Sequence, residues 1–287
     1  MRVGGLLTAV GLCAALALTG CSAGEPSSDP APSTPATSSP APSTSATSSP
    51  APSTSAAGTP EGLAADATTC VVPARLRGQD VERLAVTDKV IALTFDAGAN
   101  ADGVPAIRRV LSQQHVSRAT FFLTGHFAAT FPTKSRLLAR DYLVGNHTQT
   151  HPDLTTLTDA QVRAEVRAAE DTIRTRTGQD PRRFFRFPFG ARTSHTISVL
   201  NGLCYVPFRW TVDTLGWKGT SGGMTAAKVV DRVLAAASPG AIVLMHVGSN
   251  PDDGTTLDAD ALPTVIHELR ARGYAFVRLS RVLVAAP

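Results

Sequence analysis

The 287-residue sequence has few charged residues and no long hydrophobic run, and each shortage argues against a class of protein. Charged side chains make up 17% of the residues and leave a formal net charge of only +4, which does not favour a nucleic-acid-binding protein. No apolar run approaches the ~20 residues that a membrane-spanning helix needs. The hydrophobic residues nevertheless reach 43%, so a substantial core can form and a wholly disordered chain is excluded.

The first 20 residues have the pattern of an export signal. A positive start at Met1-Arg2 precedes an apolar stretch, Leu6 to Leu18, that is too short to cross a bilayer. The sequence Leu18-Thr19-Gly20-Cys21 then resembles a bacterial lipobox. The resemblance implies cleavage before Cys21, lipidation of that cysteine, and attachment to the outer face of the cytoplasmic membrane through the lipid alone. An ordinary signal peptide cleaved nearby is the alternative, and both interpretations predict export.

Export changes the meaning of the four cysteines. Cys13 lies in the signal and Cys21 is the lipidation site, which leaves Cys70 and Cys204. Outside the cytoplasm such a pair can form a disulfide, which would stabilise the fold by about 4–5 kcal/mol in the chain-entropy model. Two buried thiols are the alternative.

Between the signal and the folded part lies a segment of low complexity. Residues 22–60 are almost entirely Pro, Ala, Ser, Thr and Gly, and the unit Pro-Ala-Pro-Ser-Thr begins at Pro30, Pro40 and Pro50. Such a composition buries little apolar surface and favours an extended coil that reaches at most ~120 Å. We therefore predict a disordered tether over 21–66, long enough to enter a cell wall, and one folded domain over 67–287.

Strands alternate with helices from about residue 70 onward. Strands are predicted at Val90–Phe95, Ala119–Leu123, Tyr142–Asn146, Ala241–Met245 and Ala275–Leu279. Helices are predicted at Val104–Gln114, Thr158–Thr177, Ala226–Ala237 and Ala261–Arg272. This alternation predicts an α/β domain with parallel strands, without separating an open sheet from a barrel.

Polar residues follow several of these strands, where α/β proteins place their chemistry. They are Asp96, the pair His147 and His151, Arg186, and His246. Two imidazoles in one turn can converge on a metal ion, although a surface pair would have the same spacing. Asp96 is costly to bury alone, and Arg186 is its candidate partner.

Five motifs in one order make the sequence similar to a known family. They are Thr94-Phe95-Asp96-Ala97-Gly98, His147-xxx-His151, Arg186-Phe187-Pro188-Phe189-Gly190, Asp213-Thr214-Leu215-Gly216-Trp217 and Leu244-Met245-His246. They resemble the polysaccharide deacetylases, the NodB-homology family also called carbohydrate esterase family 4, over about residues 90–279. The resemblance implies a distorted (β/α) barrel of about seven parallel strands that removes acetyl groups from amino-sugar polymers. The segments 121–127 and 145–147 look most like the peptidoglycan-acting branch.

The resemblance also implies roles for the matched residues. His147 and His151 would hold a divalent metal, expected to be Zn²⁺, that lowers the pKa of a bound water. Asp96 would be the general base, held by Arg186, and His246 would protonate the departing amine. The resemblance implies cell-wall glycan as the partner, and nothing in the sequence suggests more than a monomer.

Apolar residues of the same motifs would line the substrate groove. They are Phe189, Trp217 and Leu244, with ordinary core packing as the alternative for Trp217 and Leu244. The segment Ser249–Gly254, just past His246, is either a solvated turn or a lip that contacts the glycan.

Two positions depart from the family pattern. The usual third metal ligand, a second aspartate, is replaced by Ala97, and Asp96 or Asp102 could take its place. The aspartate that usually precedes the tryptophan is replaced by Gly216, and Asp213 could orient His246 in its stead. The motifs as a whole predict an exported N-deacetylase. A catalytically degenerate glycan-binding barrel and an O-acetyl esterase on xylan-type polysaccharide are the alternatives.

Overall fold

Parallel strands build the sheet at the centre of the computed structural model, which describes residues 71–283. The strands are β1 (Val90–Ala97), β2 (Thr120–Leu123), β3 (Leu143–Asn146), β4 (Arg183–Phe185), β5 (Tyr205–Pro207), β6 (Val212–Asp213), β7 (Ile242–His246) and β8 (Ala275–Phe276). Their order is β5-β4-β3-β2-β1-β7-β6, and β8 pairs with the start of β1. Every pairing between these strands is parallel, which confirms the α/β prediction.

The sheet curls into a half-barrel that strand pairing does not close. The outermost strands β5 and β6 follow one another in the sequence but do not pair with each other. Residues 81–83 lie across this gap, where Val81 forms a bridge to Phe208 and Arg83 forms a bridge to Ala241. The distorted (β/α) barrel of about seven parallel strands is therefore confirmed.

Helices connect the strands. They are α1 (Val104–Gln113), α2 (Gly125–Thr130), α3 (Pro132–Asp141), α4 (Asp159–Thr177), α5 (Ser194–Asn201), α6 (Ala226–Ala236) and α7 (Leu257–Ala271). Four of them begin after a threonine whose side chain accepts a hydrogen bond from the backbone N–H three residues on: Thr124, Thr158, Thr193 and Thr225. Within 71–283 no helix is long and apolar enough to cross a membrane.

The predicted helix at residues 158–177 shows how far local signals reach. Thr158 and Gln161 form the predicted capping box, and Gly178 ends the helix with a φ of 78°, which costs glycine little. Helix α7 was less well predicted, because it begins at Leu257 rather than Ala261. The predicted helix left out this first turn, whose acidic residues interact favourably with the positive end of a helix.

Other bounds also differ from the prediction. The strand predicted at 275–279 ends at Phe276, and a 3-10 turn follows at Leu279–Leu283. Helices α2, α3 and α5 were not predicted. The export signal, Cys21, the tether and Cys70 lie outside the described residues, so the predictions for them stay predictions.

The topology brings the polar residues to one edge of the sheet. Asp96 of β1 and His246 of β7 are register partners on neighbouring strands. His147 directly follows β3, and Arg186 directly follows β4. All four lie at the carboxyl ends of parallel strands, where the fold leaves room for a ligand.

Candidate active site

Arg186 fixes one end of the site from within the core. Its side chain is fully buried and donates from Nη1 to Oδ1 of Asp96 at 2.7 Å. Its Nε donates to the carbonyl oxygen of Phe208 at 3.1 Å, and its Nη2 to that of Arg209 at 3.0 Å. The guanidinium also lies 4.3 Å from the centre of the Phe122 ring. All three nitrogens are therefore engaged, and the Asp96 carboxylate has a fixed direction.

Asp96 is held in its charged form. Burial opposes ionisation, but the positive charge of Arg186 and its hydrogen bond to the carboxylate outweigh it, and the pKa of Asp96 lies below its ordinary value. Its second oxygen, Oδ2, lies 3.4 Å from Nε2 of His147. An ionised carboxylate with one oxygen directed into the site can accept a proton.

The two predicted metal ligands lie side by side. Nδ1 of His147 donates to the backbone oxygen of Arg186 at 2.8 Å, which leaves Nε2 directed at the site. The rings of His147 and His151 have centroids 4.7 Å apart in an edge-to-face arrangement. Burial is the main cause that lowers the pKa of His147, and it also lowers the pKa of His151, to about 4. Both imidazoles are therefore neutral at neutral pH.

The turn that carries the histidines has an unusual backbone held by hydrogen bonds. Thr148 and His151 have φ angles of 68° and 66°, which are costly for residues other than glycine. Oδ1 of Asn146 accepts from the Thr148 N–H at 2.8 Å, and the Thr148 hydroxyl accepts from the His151 N–H at 3.0 Å. Oε2 of Glu165, on α4, accepts from the two intervening backbone N–H groups at 2.9 Å each.

These donors do not complete the metal centre that the family resemblance implies. Among residues 71–283 no group of three or more His, Cys, Asp or Glu side chains could hold a metal ion, whereas a catalytic zinc site usually has three protein ligands. Asp102, one predicted substitute, is exposed and accepts from the Ser249 hydroxyl at 2.6 Å. Asp96, the other predicted substitute, has Oδ2 3.4 Å from Nε2 of His147, but it does not form such a group with the two imidazoles, and we derive no reaction step through a metal.

His246 stands on the opposite side of the site. Its side chain is 26% exposed, and its Nδ1 lies 3.6 Å from Oδ2 of Asp258, without a hydrogen-bond partner. Burial opposes its positive charge, but the carboxylates of Asp258, Asp96 and Asp213 outweigh it and raise the pKa of His246. A protonated imidazole at the mouth of the site can donate a proton.

The structure places a different carboxylate beside His246 from the one that we predicted. Asp213 lies beyond ion-pair distance of His246, and its Oδ1 accepts from the Leu215 N–H at 2.9 Å. Asp258 makes the contact instead. Sequence reasoning missed it because the predicted helix began only at Ala261, and it missed Glu165 because nothing in the sequence links α4 to the histidine turn.

The predicted groove residues divide into two groups. Phe189 is 70% exposed and packs edge-to-face on His151, and Trp217 is 46% exposed with its ring 6.4 Å from that of His246. Leu244 is 2% exposed, which agrees with the core-packing alternative. The Ser249–Gly254 segment contacts the groove through Asn250, whose Nδ2 donates to the backbone oxygen of Trp217 at 3.0 Å.

Cys204 is disulfide-bonded. Its predicted partner, Cys70, lies outside the described residues, so the pairing itself stays a prediction.

Comparison with known proteins places this site in a family. The family model described as polysaccharide deacetylase matches residues 83–207. A peptidoglycan-N-acetylglucosamine deacetylase of Bacillus cereus is 33% identical over 190 residues, which span 66% of either protein. A chitooligosaccharide deacetylase of Azorhizobium caulinodans is 31% identical over 202 residues, which span 67% of this chain and 94% of that protein.

A solved structure supports the same assignment and shows that the fold also occurs in a protein named a pseudoenzyme. A family 4 carbohydrate esterase pseudoenzyme of Bacillus anthracis superposes with a TM-score of 0.65 at 27% identity, over 72% of this chain and 69% of that one. The order of the motifs, the parallel half-barrel and a relative matched over nearly its whole length lead to one conclusion: the chain belongs to the polysaccharide deacetylase family.

Proposed function

We propose that the protein is an exported hydrolase that removes N-acetyl groups from amino sugars of a cell-wall polysaccharide, with peptidoglycan as the expected substrate. The observation that carries the proposal is the pairing of Asp96 and His246. They are register partners on adjacent strands, and their pKa values are displaced in opposite directions, downward for the carboxyl and upward for the imidazole. Such a pair supplies a base and an acid at the same pH. Export rests on residues 1–21 of the sequence.

Asp96 begins the reaction as the general base. Its carboxylate takes a proton from a water molecule as the water oxygen attacks the carbonyl carbon of the acetamide. Arg186 holds the carboxylate in one direction through the 2.7 Å contact. Because the base is already oriented, little reorganisation accompanies the proton transfer.

His246 completes the reaction as the general acid. The tetrahedral intermediate collapses when the imidazolium gives its proton to the amide nitrogen, so that the carbon–nitrogen bond breaks with its electron pair on nitrogen. The products are acetate and a free amino sugar. Without this proton the amine would be a very poor leaving group.

The exposed aromatic side chains support a glycan substrate. Phe189 and Trp217 stand at the mouth beside His151 and His246, and aromatic faces pack well on the apolar faces of sugar rings. The relatives from Bacillus cereus and Azorhizobium caulinodans are named for glycans of N-acetylated amino sugars. This common chemistry favours N-acetyl groups over the acetyl esters of xylan.

A catalytically degenerate glycan-binding barrel is the second candidate. Ala97 removes a ligand that the resemblance implies, and one structural relative is named a pseudoenzyme. Both functions would use the same groove, but only the first releases acetate. Deacetylases of this family are generally metal-dependent, and a chelator therefore belongs in the test.

The test measures acetate release and polymer binding together. The full chain is incubated with N-acetylated peptidoglycan, with acetylated xylan in parallel, in Zn²⁺ and in EDTA, beside the Asp96→Asn variant. We expect acetate from peptidoglycan with the wild type and none above background with the variant. Retention on peptidoglycan without acetate release in either buffer would contradict the deacetylase and favour the binding barrel. Release from xylan alone would favour the esterase.

A further inference from the structure

Asp258 is a buried carboxylate beside His246, the proposed general acid. It is the second residue of α7 and is 3% exposed. Its Oδ1 accepts from the Thr214 hydroxyl at 2.6 Å, and its Oδ2 accepts from the backbone N–H of His246 at 2.8 Å. These contacts fix the carboxylate from two different segments, and its place in the first turn of a helix is favourable for a negative charge.

The same carboxylate faces the side chain of His246. Its Oδ2 lies 3.6 Å from Nδ1 of the imidazole, and that nitrogen is buried without a hydrogen-bond partner. A proton on Nδ1 would therefore be directed toward Asp258, which leaves Nε2 as the nitrogen that can reach substrate. Small rotation of the ring would bring Nδ1 within hydrogen-bond distance of the carboxylate.

Gly216 provides the space in which Asp258 lies. A Cβ atom built at Gly216 would lie 2.4 Å from Oδ1 and 2.6 Å from Cγ of Asp258, which is closer than non-bonded atoms approach. Any side chain at position 216 would therefore displace the carboxylate of Asp258. The space beside His246 and Trp217 holds one carboxylate, and in this chain it comes from α7.

Other charged groups face His246 from neighbouring elements. Asp96 on β1 and Asp213 on β6 favour its protonated form. The imidazoles of His147 and His151, in the turn after β3, face it from the other side, and the positive charge of His246 lowers their pKa values. Among the carboxylates, Asp258 is the only one within ion-pair distance in the described part of the chain.

We propose that Asp258 is the positioning residue for the general acid: its carboxylate holds the Nδ1–H of the His246 imidazolium so that Nε2–H is directed at the leaving nitrogen. The inference rests on the proposed deacetylase function. In the step, the Nε2–H bond breaks, a nitrogen–hydrogen bond forms on the amine, and the imidazole is left neutral beside Asp258. The electron pair of the cleaved carbon–nitrogen bond stays on the amine.

The first test replaces the charge. Asp258→Asn is compared with Asp260→Asn, which alters an exposed carboxylate in the same first turn of α7. For Asp258→Asn we expect kcat for acetate release to fall about 10- to 100-fold, because the reacting imidazole is no longer held in one orientation, with KM unchanged. Without the Asp258 carboxylate the pKa of His246 falls. Because the acid works only when protonated, the alkaline limb of the pH profile of kcat then moves to lower pH. Asp260→Asn should leave kcat, KM and the limb unchanged.

The second test returns a carboxylate from the other side. Asp258→Ala is compared with the double variant Gly216→Asp/Asp258→Ala, after thermal unfolding and circular dichroism establish that both fold. Recovery of kcat and of the alkaline limb in the double variant supports the positioning role. Loss of kcat in the single variant with an unmoved limb, or no recovery in a folded double variant, overturns it.

A third readout keeps the inference separate from the deacetylase proposal. The ring protons of His246 are titrated by NMR in the full chain without substrate, in the wild type and in Asp258→Asn. A midpoint that falls by about one pH unit or more in the variant supports the contact even if no acetate is released. An unchanged midpoint overturns the inference even if the wild type is an active deacetylase.

Discussion

The site has two sides that are held in different ways: the base side around Asp96, the proposed general base, and the acid side around His246, the proposed general acid. On the base side, Arg186 is fully buried, and its three nitrogens donate to Asp96 and to two backbone oxygens. On the acid side, His246 is a quarter exposed, and Nδ1 faces Asp258 across 3.6 Å without a hydrogen bond. The base side is thus fixed before any substrate arrives, whereas the acid side can still tighten.

The two sides also differ in whether their residues belong to the family motifs. The base side consists of motif residues that meet one another as the family resemblance implies. On the acid side, the motif position that usually carries the carboxylate is Gly216. The carboxylate of Asp258, on α7, lies in the space that this glycine leaves. A missing motif residue therefore does not by itself mean a missing chemical group. Position 97 is different. The third metal ligand of the family is absent there, and among the described residues no group of three or more His, Cys, Asp or Glu side chains could hold a metal ion.

The largest effect should come from the base itself. Asp96→Asn removes the carboxylate that we propose as the general base, and we expect kcat to fall by about 10³- to 10⁴-fold. Acetate release from N-acetylated peptidoglycan measures it. Asparagine keeps an oxygen for Arg186, so the fold should persist by circular dichroism. A folded variant that keeps more than a tenth of the activity would contradict the assignment.

The next effect tests how the base side is held. Arg186→Met leaves the buried charge of Asp96 without its partner, so we expect the free energy of unfolding to fall by about 3–5 kcal/mol. Urea unfolding measures the change. The double variant Arg186→Met/Asp96→Asn should recover part of the loss, because no buried charge is then left unpaired. Strictly additive losses would show that the two residues do not stabilise each other.

A smaller effect should follow from loosening the histidine turn. Glu165→Ala removes an acceptor for two backbone N–H groups and for the Thr150 hydroxyl, and we expect a loss of about 1–3 kcal/mol in the free energy of unfolding. Asp171→Ala is the control on the same helix, because its exposed ion pair with Arg174 should contribute less than about 1 kcal/mol. Equal losses in both variants would contradict a special role for Glu165.

The last expected effect concerns metal affinity. Ala97→Asp supplies the carboxylate that the resemblance implies beside His147 and His151, and we expect Zn²⁺ to bind about tenfold more tightly or better. Calorimetry with Zn²⁺ alone measures the affinity, independently of turnover. His151→Ala added to Ala97→Asp should remove the gain. Unchanged affinity in a folded Ala97→Asp variant would mean that position 97 does not face the imidazoles.

Prediction from sequence succeeded where the signal was local or came in a motif. The Thr158 capping box and the end of α4 at Gly178 depend on neighbouring residues, and the Asp96–Arg186 pair follows from ordered motifs. Asp258 could not be found in this way. Its contact with His246 depends on where the first turn of α7 packs, and that turn begins four residues before the predicted helix.

The measurement that bears most directly on the central claim counts both products of one reaction. Acetate released by the full chain and free amino groups formed in the same N-acetylated peptidoglycan are determined over one time course, with Asp96→Asn and His246→Gln as controls. We expect both products to rise together, in equal amounts, with the wild type and to stay at background with the variants. Acetate without new amino groups, or neither product from a wild-type protein that binds the polymer, would contradict N-deacetylation by the Asp96–His246 pair.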